Sequence, residues 1–75
     1  MKYKIDDIPK IVGKMVYIET INNHFYHCML KKITGVQLEL AFPKRYSEHI
    51  YISAIRYIAD DKNDIRLHSG MFWIV

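Results

Sequence analysis

The chain has 75 residues, of which 51% are apolar and 25% charged, with three Gly and two Pro. That excludes a disordered, collagen-like or low-complexity chain, and 9.0 kDa corresponds to one domain, residues 1–75. Eleven Lys and Arg against eight Asp and Glu leave a net charge of +3, a bias that permits an anionic partner without demanding one. No apolar run approaches the roughly 18 residues of a membrane span. Met1 to Asp7 is basic at first, but no apolar stretch follows it, so no secretory leader is expected. A single cysteine, Cys28, makes no internal disulfide, which points to a reducing cytoplasm.

In chain order, Ile5, Ile8 and Ile11-Val12 recur at three to four residues, with Asp6-Asp7 before Pro9 and Gly13 as a stop. This spacing predicts a short N-terminal helix of one or two turns. From Lys14 the period becomes two, and Val16, Ile18 and Thr20 mark a strand ended by Asn22-Asn23. His24 to Ile33 is a second strand, with Tyr26, Cys28 and Leu30 on one face and Phe25, His27, Met29 and Lys31 on the other. Leu30 and Ile33 both suit a core but differ in parity, so a bulge is expected near Lys31-Lys32.

Thr34-Gly35 forms the next turn, and Val36, Leu38, Leu40 and Phe42 form the inward face of a third strand. Pro43 to His49 reads as a polar loop and Ile50-Tyr51-Ile52 as a strand. Ile52, Ile55 and Ile58 are three apart, which predicts a 3₁₀ turn at Ser53-Ala54 before a strand through Arg56-Tyr57-Ile58. Asp60 to Asp64 is a turn. Ile65-Arg66-Leu67 and Met71 to Val75 flank His68-Ser69-Gly70 as a hairpin that docks on the domain or on a partner. The expected fold is mainly β: five to seven short antiparallel strands in a small closed or partly closed barrel, preceded by a short helix.

Gly13 to Ile58 resembles the Sm-like family, the SH3-like small barrels of the Lsm and Hfq type. The first motif is carried by Gly13 to Ile18, Asn22-Asn23, Tyr26 to Leu30, Ile33 and Leu38-Glu39-Leu40, and the second by Ile50 to Ile58. The resemblance implies RNA binding and ring assembly through edge strands. The turn Thr34-Gly35-Val36 corresponds to the family's RNA-pocket turn but holds no Asp or Asn, and Ser53-Ala54 stand where eukaryotic members carry Arg-Gly.

Other chemistry is weighed from spacing. His24, His27 and Cys28 make no metal site: His24 and His27 face apart, and His24 and Cys28 lie about 13 Å apart along a strand. His27 also faces away from Cys28, so no activated thiol is expected. Asp60 to Asp64 lacks the Gly and final Glu of a calcium loop. No catalytic residue, cofactor, metal or small-molecule substrate is expected, and the chain is not expected to be an enzyme. Phe42-Pro43-Lys44-Arg45-Tyr46, with Tyr51, combines cations with rings, which suits single-stranded nucleic acid. Lys31, Lys32, Lys44 and Arg45 would neutralise phosphates, and Tyr46 and Tyr51 would stack bases. The expected function is therefore a binding module for RNA or single-stranded nucleic acid. The alternative is a protein-interaction or self-associating barrel, for which Phe72 to Val75 supply apolar surface.

Overall fold

A computed structural model of the protein describes residues 1–42 and 47–61. The chain runs β1 (Lys2–Tyr3), a 3₁₀ helix (Ile5–Lys10), β2 (Met15–Thr20), β3 (Phe25–Thr34), β4 (Gln37–Ala41), β5 (Ser47–Tyr51), a 3₁₀ turn (Ile52–Ala54) and β6 (Ile55–Ala59). The six strands form one antiparallel sheet in the order β1-β6-β2-β3-β4-β5. The mainly β reading holds.

Closure does not. β1 and β5 are the two edges and do not pair with each other, so the described residues form an open sheet rather than a closed barrel. The sheet nevertheless curls. The 3₁₀ turn Ile52–Ala54 carries the chain from edge strand β5 to β6, which pairs with β2. Within that turn the Ile52 N–H donates to Val36 O at 2.9 Å, and Ala54 O accepts the Ile21 N–H at 2.8 Å. One turn thus ties together backbone at the start of β4 and just past β2.

The N-terminal helix is only a 3₁₀ element of six residues. Pro9 lacks the N–H that an α-helix would place on the Ile5 carbonyl. The Lys4 N–H donates to Asp7 Oδ2 at 3.1 Å and so satisfies one of the orphan donors at its start. Ile8 and Ile11 from this segment are buried, whereas Ile5 and Val12 are exposed.

Periodicity explains the core. Val16 and Ile18 on β2, Tyr26, Cys28 and Leu30 on β3, Leu38 and Leu40 on β4, and Ile55 and Ile58 on β6 pack in one cluster with Ile8 and Ile11. Each fully buried Leu or Ile contributes about 1.5–3 kcal/mol of transfer free energy. The bulge is where Leu30 and Ile33 require it. Leu30 pairs with Leu40, and the register then shifts so that Lys32 opposes Glu39 and Ile33 opposes Leu38. Lys31 is the extra residue, and both aliphatic side chains reach the core side.

Three further differences are physical. Val36 is 69% exposed, because it sits in the β3–β4 turn rather than in the strand. There Gly35 takes φ +60° at the first central position of a two-residue hairpin, a conformation that side chains disfavour. The expected loop from Pro43 to His49 ends early, since β5 begins at Ser47 and pairs with Ala41. β1 was not expected: Lys2 pairs with Ala59 and Tyr3 with Ile58, which covers part of the β6 edge. The hairpin expected over residues 65–75, and its docking, lie outside the described residues.

Candidate nucleic-acid interface

The β3 bulge organises the charged face. Lys32, Glu39 and His49 occupy one row across β3, β4 and β5, with Lys31 beside it. The Lys31 Nζ lies 3.2 Å from Glu39 Oε2, and His49 Nε2 lies 3.6 Å from Glu39 Oε1. The hydrogen bond from Lys31 holds the Glu39 carboxyl below its ordinary range, with further help from Ser47 and the nearby charges. Glu39 therefore stays ionised at neutral pH and offsets part of the local positive charge.

Two residues further along, Thr34 pairs with Gln37 and Gln37 with Tyr51. Tyr51 thus shares this sheet face with Lys32, displaced by two strand spacings and roughly 7 Å along the strands. It is 56% exposed and borders an open groove of about 630 Å³ lined by Ile5, Gly35, Val36, Tyr51, Ile52, Ser53 and Ile55. The turn Thr34-Gly35-Val36 and the Ser53 position, both singled out by the family resemblance, meet in this groove. Its lining side chains are apolar except for the hydroxyls of Tyr51 and Ser53.

Of the six predicted contact residues, Lys31, Lys32 and Tyr51 lie on one face, and of these three Tyr51 lines the groove. Lys44, Arg45 and Tyr46 lie outside the described residues. Lys31 is partly committed to Glu39, whereas no ion pair is formed by Lys32 among the described residues. His49 was missed as a site residue because it was read as loop. The alternation Ser47-Glu48-His49-Ile50-Tyr51, a period of two, was the signal that could have placed it.

Arg56 shows the opposite outcome for a cation. Its Nη1 donates to Glu19 Oε2 at 2.8 Å and to Asn23 Oδ1 at 3.3 Å, and its Nη2 donates to Ile21 O at 3.1 Å. It thereby neutralises the buried Glu19 and fastens the β2–β3 turn to β6. The Lys2 Nζ similarly sits over the Tyr57 ring, 4.3 Å from its centroid.

Cys28 and His27 lie on opposite faces of β3. Cys28 is fully buried in the core, where burial, with help from the Glu48 charge, pushes its thiol up to about 12. His27 is on the other face, stacked on Tyr17 with ring centroids 4.0 Å apart, and burial lowers its pKa. Among the described residues no cluster of His, Cys, Asp and Glu has the arrangement of a metal site. No helix among them is long and apolar enough to cross a membrane. Compared with protein-family models, with characterised proteins and with solved structures, the chain matches none.

Proposed function

We propose that the protein is a non-catalytic binding module for RNA or single-stranded DNA, acting in the cytoplasm. The observation that carries this reading is the placement of Lys31, Lys32 and Tyr51 on one sheet face, with Tyr51 at the rim of an open groove. Phosphates track the bulge lysines, and a base stacks on the Tyr51 ring or enters the groove next to Ser53. Lys44, Arg45 and Tyr46 extend this surface in the proposal on the strength of their chemistry alone. An Sm-like relationship is part of the same proposal, supported by the 3₁₀ turn between β5 and β6 and by the meeting of the two motif turns at the groove. Catalysis is not part of the proposal.

Fluorescence anisotropy with a labelled oligonucleotide tests it. Binding at low salt should weaken steeply as salt rises, and Lys32→Glu should lower the logarithmic salt slope by about 0.7 for the lost phosphate contact. Absence of binding at tens of micromolar protein would sink the proposal.

A second reading, self-association or protein binding, is favoured by Ile5, Val36 and Tyr51, three exposed apolar or aromatic side chains that border the same groove. Light scattering decides the self-association part, because a monomer at high concentration excludes it. Exchanging Lys44 and Arg45 for Glu abolishes nucleic-acid binding under the first reading and leaves partner binding unchanged under the second.

A further inference from the structure

The row Lys32–Glu39–His49 contains a residue whose charge depends on pH, and it lies on the surface proposed to hold phosphates. We propose that His49 is a conditional third cation of this surface, so that nucleic-acid binding strengthens when its imidazole is protonated. The inference rests on the nucleic-acid reading and adds a residue and a regulation to it.

The geometry is specific. Glu39 is the shared acceptor: Lys31 reaches one carboxylate oxygen at 3.2 Å and His49 faces the other at 3.6 Å. Among the described residues, the charged or titratable groups on this face around His49 are Glu39 from β4, Lys31 and Lys32 from β3, and Tyr51 on its own strand. Glu48, the neighbouring acid, has the opposite strand parity.

With His49 neutral, the two lysines and Glu39 leave this patch one net positive charge. A proton on His49 adds a second. It also gives Glu39 a second cationic partner, so that Lys31 is freer to leave the carboxylate for a phosphate. The imidazole is half exposed, so a ligand can reach it and its removal leaves the core intact. Imidazole is the side chain whose charge changes between pH 5 and 8, which makes the effect accessible under conditions where the carboxylates stay ionised.

The test uses a labelled oligo(dT), whose bases do not protonate in this range. Its affinity is measured at pH 5.5 and pH 8 and constant ionic strength, for the full chain and for the His49→Gln and His49→Lys variants. One added phosphate contact predicts about fivefold tighter binding at pH 5.5 near 0.1 M salt, with a salt slope steeper by about 0.7. His49→Gln should lose that step, and His49→Lys should bind tightly at both pH values. The other three histidines are common to the parent chain and the variants, so the difference between the parent chain and His49→Gln is the decisive quantity. An equal pH step in the parent chain and His49→Gln overturns the inference while leaving the nucleic-acid reading intact. No binding at either pH overturns both.

Discussion

The two hairpin turns that flank β3 treat their surroundings in opposite ways. The Asn22-Asn23 turn is closed on itself. Asn23 holds φ +63°, its N–H donates to Thr20 O, the His24 N–H donates to Thr20 Oγ1, and Arg56 bonds Ile21 O, Asn23 Oδ1 and Glu19. The Gly35-Val36 turn is lightly fastened and presents Val36 to solvent at the rim of a groove. A cation within a folded domain is therefore not automatically a ligand contact. Arg56 has the stronger charge-assisted bonds and belongs to the fold, while Lys32 has none among the described residues and remains available.

The largest expected effect breaks the first turn. Arg56→Met removes the partner of a buried carboxylate, and we predict a loss of roughly 2–3 kcal/mol in chemical denaturation. A second substitution, Glu19→Gln, should recover part of that loss, and strict additivity of the two would show that the pair is not coupled. Next, Gly35→Ala meets no atom within 4 Å of the added Cβ, so its cost is purely conformational. About 1–2 kcal/mol of destabilisation is expected, and an unchanged melting temperature would mean that the turn does not hold this backbone in solution.

Val36→Thr sharpens the contrast at lower energy. Stability should change by no more than about 0.5 kcal/mol, as for a surface site. Any self-association through the groove should weaken, which analytical ultracentrifugation would reveal. The smallest effects concern titration. Because the Glu39 pKa is depressed, its contribution to stability is present above the unfolded carboxylate pKa and is lost as pH falls through the folded value. Removing Lys31 with Lys31→Met should therefore flatten the acid limb of the stability profile slightly. Cys28 should resist a thiol reagent at pH 8 in the folded chain and react in denaturant. Fast labelling of folded protein would contradict its burial.

Much of the strand pattern was legible along the chain, because each signal was local. Alternation in Val16-Tyr17-Ile18 and Leu38-Glu39-Leu40 announced half-buried strands. The parity conflict between Leu30 and Ile33 announced the bulge, and the three-residue spacing of Ile52, Ile55 and Ile58 announced the 3₁₀ turn. Val36 misled because alternation carries no mark of where a strand begins and a turn ends. The helical spacing of the first isoleucines misled for a related reason: six residues containing Pro9 are too few for α-helical bonding to prevail over the tighter 3₁₀ turns. Of the site, the residue types were legible and their partners were not.

By itself, then, the sequence determined which segments extend, where they turn, where β3 bulges and which side chains are oily enough to form the core. Tertiary structure alone decided that Glu39 stands between Lys31 and His49, that Arg56 is consumed by Glu19, and that Gly35, Tyr51 and Ser53 border one groove. The reason is range: backbone preference and period act over a few neighbouring residues. Pairing across strands depends on register between segments from opposite ends of the described chain, as Lys2 pairs with Ala59, and only the folded sheet sets it.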